Sequence, residues 1–82
     1  HLKALPETIG NLKNLQFLFL YHNGLETFPV SIGSLSELLV LSAPGNALVR
    51  LPEEMGCLKS LQRLYLSGNA LSELPSSLGN LI

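Results

Sequence analysis

The chain has 82 residues, of which 13% are charged, with a formal net charge of −1 and a pI near 6.1. A field that weak does not hold polyanions, which speaks against nucleic acid or an acidic membrane surface as a partner. Eighty-two residues make one domain at most, and a globule of this size buries only roughly 60–65% of its unfolded surface, so a stack of like units is the better way to build a core.

The chain is such a series. A unit of 23 residues begins at Leu2 and recurs at Leu25, Leu48 and Leu71 without insertion or deletion, about three and a half copies over residues 1–82. In the first copy Leu5-Pro6, Ile9-Gly10, Leu12, Leu15, Leu18, Leu20 and Asn23 mark the columns. The second gives Phe28-Pro29, Ile32-Gly33, Leu35, Leu38, Leu41, Ala43 and Asn46, and differs at Ala43 and at Pro44. Leu51-Pro52, Met55-Gly56, Leu58, Leu61, Leu64, Leu66 and Asn69 follow in the third, and Leu74-Pro75, Leu78-Gly79 and Leu81 open a fourth. A fixed period of this length is the signature of a solenoid.

Each unit predicts one strand and one returning helical segment. The column prolines tolerate a missing N–H at a first helical turn and push the preceding residue into an extended conformation, so a short helix or 3-10 turn starts there. Ile9 and Leu12, three apart, share its inner face. Leu18 and Leu20 lie on one face of a strand, and Phe17, Phe19 and Tyr21 on the other. The glycines after the Ile column serve either a positive φ or a close approach of the next coil. Asn23, Asn46 and Asn69 turn inward, where an amide offers donors and an acceptor to neighbouring backbone.

The runs Leu15-Gln-Phe-Leu-Phe-Leu-Tyr-His-Asn23 and Leu61-Gln-Arg-Leu-Tyr-Leu-Ser-Gly-Asn69 read L-x-x-L-x-L-x-x-N. With them the chain resembles the leucine-rich repeat family over essentially its whole length. The 23-residue L-P-x-x-I-G-x-L variant is similar to the intracellular group of Scribble- and Erbin-type scaffolds, Ras-suppressor-like proteins and plant intracellular Ras-group repeats. The resemblance implies an α/β solenoid, a right-handed coil with parallel strands on a concave face and short helices or 3-10 turns on the convex one. It also implies protein partners, small GTPases or phosphatase and kinase complexes among them. Both ends of the chain interrupt a unit, so an excerpt of a longer array is expected.

Catalytic and cofactor chemistry find little footing. There is no Asp, which removes a Ser-His-Asp arrangement. His22 on the strand exit and Cys57 on the helical side are too far apart for a nucleophilic pair. One Cys and two separated His give no metal-ligand spacing, and no phosphate-cradling glycine motif is present. The reading is therefore no enzyme, no cofactor and no metal. Glu7, Glu53 and Glu54 follow the column prolines, where negative charge suits a helix start, and Arg50 and Glu73 share a column and can pair.

The outward strand columns carry what the repeat does not explain: Phe17, Val40 and Arg63, then Phe19, Ser42 and Tyr65, then Tyr21, Pro44 and Ser67. Four of the five aromatics sit there, and only Phe28 falls in a core column. Aromatic and Arg side chains anchor protein interfaces. Phe17, Phe19, Tyr21, Val40, Arg63 and Tyr65 are accordingly the candidate binding residues of a protein-interaction module in an intracellular signalling or scaffold protein. The alternatives are an extracellular recognition domain of a receptor and a targeting domain of a larger enzyme. A single cysteine and six Asn without one Asn-x-Ser/Thr acceptor favour the cytoplasm. The apolar runs at 18–20 and 38–41 fall far short of the ~20 residues a membrane span needs.

Overall fold

The structure, a computed structural model, describes residues 4–72. Three 3-10 helices alternate with three strands: η1 (Glu7–Asn11), β1 (Phe17–Phe19), η2 (Val30–Ser34), β2 (Val40–Ser42), η3 (Glu53–Cys57) and β3 (Arg63–Tyr65). The strands form one parallel sheet in the order β1-β2-β3, in a register that sets residues 23 apart side by side, Leu18 against Leu41 against Leu64. The 3-10 helices stack in the same order on the other side. The columns of the fourth unit from Leu74 on, and Glu73 with its pairing to Arg50, lie outside the described residues.

Each 3-10 helix starts at a column proline. Pro6, Pro29 and Pro52 are themselves the cap residues, extended at φ near −69° and ψ near 151°, one position earlier than a first helical turn. Their carbonyls accept the amides of Ile9, Ile32 and Met55 at 3.0 to 3.1 Å. A ring that fixes φ and leaves the carbonyl free is well suited to that post.

Between the layers runs the core. Leu25, Ile32, Leu35, Leu38, Leu41, Leu48, Met55 and Leu58 are fully buried, each worth about 1.5–3 kcal/mol over an exposed side chain. Of these, Ile32, Leu35, Leu38 and Leu41 belong to the middle described coil, which has a coil on either side. Leu12, in the Leu35 and Leu58 column, is half-exposed because it belongs to the outermost coil described. Column membership alone therefore does not bury a residue; a neighbouring coil does.

Coil-to-coil contact is tight enough to explain two glycines. A Cβ on Gly10 would stand 2.7 Å from the Ser31 carbonyl oxygen, and one on Gly33 2.6 Å from that of Glu54. Gly10 and Gly33 thus serve the close approach. Positive φ occurs in other columns, at Gly24, Gly45 and Gly68 and at the non-glycine His22.

The asparagines lace the coils together. Asn46 Oδ1 accepts the amides of Asn23 (2.8 Å) and Leu25 (3.1 Å), while Nδ2 donates to the carbonyls of Leu20 (2.6 Å) and Pro44 (3.4 Å). Asn69 repeats the arrangement one coil on, accepting Leu48 N–H at 3.0 Å and donating to Ala43 O at 2.8 Å. Asn46 is buried and Asn69 half-buried. Among the described residues no buried side-chain nitrogen or oxygen is left without a partner.

Candidate functional site

The strand face is built by alternation along three-residue strands. Leu18, Leu41 and Leu64 point inward toward the core, so the residues on either side of them point out. Three rows result. The first holds Phe17, Val40 and Arg63, the second Phe19, Ser42 and Tyr65. The third, Tyr21, Pro44 and Ser67, lies past the strands, but its backbone stays in step through His22 N–H to Pro44 O and Gly45 N–H to Ser67 O, at 3.2 and 2.9 Å.

On β1 and its extension the rings form a ladder. Phe17, Phe19 and Tyr21 are 52%, 52% and 53% exposed. The ring centroids lie 6.4 Å apart at an interplanar angle of 3° between the first two, and 6.1 Å apart at 14° between the second and third. Three parallel rings side by side, half in solvent, form one apolar ridge rather than scattered surface residues. Tyr65 on β3 is also exposed.

The middle strand is lower. Val40 and Pro44 are half-buried and Ser42 is buried; Val40 is small beside Phe17 and Arg63, and Ser42 beside Phe19 and Tyr65. Val40 is the direct neighbour of both Phe17 and Arg63, so Phe17 and Arg63 are separated by a strand rather than adjoining. A shallow trough thus runs along β2 between the ring ladder and the Arg63–Tyr65 pair.

Charge on this face is one-sided. Among the described residues Arg63 is its single formal charge, and Nη1 donates to the Tyr65 hydroxyl at 3.2 Å. That hydrogen bond raises the guanidinium pKa from its ordinary value, and the group is a cation at any working pH in either case. Of the described glutamates, Glu7, Glu53 and Glu54 lie in the first turns of η1 and η3, and Glu26 and Glu37 lie outside the strands. Cys57, at the end of η3, is a free and exposed thiol on the layer opposite the rings.

All six candidate residues therefore sit on one surface. The residue that sequence reasoning passed over is His22. It takes φ +49°, and its imidazole covers Gly45, occupying the space a Cβ there would need. The signal was available in the column His22, Gly45, Gly68, two glycines beneath a histidine.

Among the described residues no group of three or more His, Cys, Asp or Glu could hold a metal ion. Among the same residues no helix is long and apolar enough to cross a membrane.

Stacked strand–turn units of constant length, a parallel sheet on one side, 3-10 helices on the other and an asparagine ladder between them define a repeat solenoid. The Leucine Rich Repeat family matches at residues 14–35 and 60–81, more than half of the chain. The chain belongs to the leucine-rich repeat family. A solved leucine-rich repeat protein of Leptospira interrogans is similar at 42% identity and a TM-score of 0.95 over 98% of this chain. This chain spans 20% of that protein's chain. No curated protein matches.

Proposed function

We propose that this segment is a protein-interaction module that captures its partner on the strand face. The family's repeat architecture suggests a protein partner. The observation that carries the reading is the ring ladder, three parallel and half-exposed aromatics on a surface where the repeat alone requires none. Rings of this kind, with Arg63 and Tyr65 beside them, are the side chains that supply most of the energy at protein interfaces. Three strands spaced about 4.8 Å apart make a platform about 10 Å wide, below the roughly 800 Å² per partner of a standard interface. Neighbouring repeats of the parent protein therefore contribute.

The finer setting we propose is a cytoplasmic signalling or scaffold protein without catalytic work of its own in this segment. Its partner class is that of the intracellular 23-residue repeats, small GTPases or phosphatase and kinase complexes. An exposed free thiol at Cys57 fits a reducing compartment.

The test is mutational, in the full-length protein. Phe19→Ala and Arg63→Glu abolish partner capture at unchanged thermal stability, while Lys13→Glu, in the turn ahead of β1, does neither. Equal loss from Lys13→Glu moves the site off the strand face, and collapse of the Phe19 variant returns the rings to a structural role.

A further inference from the structure

The shape of the strand face narrows what can lie on it. Its floor is Val40, Ser42 and Pro44, its one wall the ladder Phe17, Phe19 and Tyr21, its other wall Arg63 with Tyr65. The walls stand on strands two apart, about 10 Å between backbones, so an α-helix ~10–12 Å across with its side chains rests over the trough with one stripe toward the floor and its flanks against the two walls. The ring spacings of 6.4 and 6.1 Å match the ~6 Å advance between residues i and i+4 of a helix, so successive apolar side chains on one helix stripe meet successive rings.

A helix also answers the chemistry of the floor. Val40 and Pro44 present no side-chain hydrogen-bonding group, and Ser42 is 5% exposed. An extended peptide desolvated there would leave its N–H and C=O groups unpaired, whereas a helix pairs its own. Charge sets the orientation. Arg63 is the only formal charge on the face, and Tyr65 is its only hydrogen-bond partner among the described residues, so its remaining donors are free to bind a carboxylate in the fork geometry that guanidinium favours.

We propose that the trough over β2 takes a single amphipathic α-helix of the partner protein, with apolar residues at i, i+4 and i+7 or i+8 along the ring ladder and an Asp or Glu on the flank facing Arg63. This rests on the protein-binding reading above and adds the partner's secondary structure and charge.

The test presents the full-length protein with displayed 15-residue peptides in two pools of equal composition, one helix-compatible and one carrying a central proline. The expected winners come from the helix-compatible pool. They carry the i, i+4 apolar stripe and are enriched about two- to fivefold in Asp and Glu on one flank, the preference an accessible charge pair supports. Against the Arg63→Glu protein the same flank turns to Lys and Arg. Winners from the proline pool, or a flank composition indifferent to residue 63, overturn the proposal. So does the absence of binding from either pool; if Phe19→Ala still abolishes capture of the natural partner in that case, the interaction reading stands and only the helix is lost.

Discussion

Replacing Asn46 by alanine removes one small side chain and strands several backbone groups. The amides of Asn23 and Leu25 lose their acceptor, and the Leu20 carbonyl loses a donor at 2.6 Å. A buried polar group left unpaired costs about 1–3 kcal/mol, and some of that is recovered where water can enter. Asn46 is 7% exposed, so little water reaches it, and the loss should be about 3 kcal/mol. Asn69→Ala, at a half-buried site, should cost about half as much by the same reasoning. Native-state hydrogen exchange reads this locally, because a loss of about 3 kcal/mol corresponds to about a hundredfold faster exchange at the Leu25 amide. Unchanged protection of Leu25 would refute the reasoning. Asn46→Asp adds a check of sign. A buried carboxylate facing the Leu20 carbonyl has its pKa raised above the ordinary value of about 3.9. The folded state then binds more protons than the unfolded one, so the variant loses stability as pH rises from about 4 through the raised pKa and regains it on acidification.

Three further outcomes are expected. Gly33→Ala forces a Cβ toward the Glu54 carbonyl oxygen and should cost about 2–3 kcal/mol in denaturant titrations, whereas Gly24→Ala meets no atom within 4 Å and costs only about 1 kcal/mol for its φ of +74°. Phe28, 2% exposed, should lose about 3–5 kcal/mol on truncation to alanine, and Phe17→Ala within about 0.5 kcal/mol of nothing; equal losses would mean that the ladder is core. Tyr65→Phe removes the hydroxyl that holds Arg63, and should leave the melting temperature unchanged while weakening partner capture.

The period of 23 made the architecture readable, because one strand and one turn explained in the first unit are explained in the other described units, and the asparagine explained at Asn46 recurs at Asn69. Phe17, Phe19 and Tyr21 were readable as outward by alternation against Leu18 and Leu20. What depends on contact between coils was less so. Whether Gly10 and Gly33 serve a positive φ or a close approach is decided by the carbonyls of Ser31 and Glu54, which lie 21 residues on in each case and have no signature of their own. Leu12 looked like Leu35 but lacks a covering coil. The trough follows from the small residues Val40, Ser42 and Pro44 standing between larger ones, a relation visible only once the register is set. His22 was hidden for the opposite reason, since a histidine where the other copies have glycine reads as a departure from the pattern until its left-handed backbone is seen.

The central claim, that the strand face is where a protein partner is held, is tested most directly by hydroxyl-radical footprinting of the full-length protein alone and in complex with the partner that co-purifies with it. Oxidation of Phe17, Phe19, Tyr21 and Tyr65, each about half-exposed in the free chain, should fall severalfold in the complex, while Val30 on η2 and Cys57 on η3, also exposed, react as before. Protection of Val30 and Cys57 with the four rings unchanged would contradict the account and place the partner on the opposite layer.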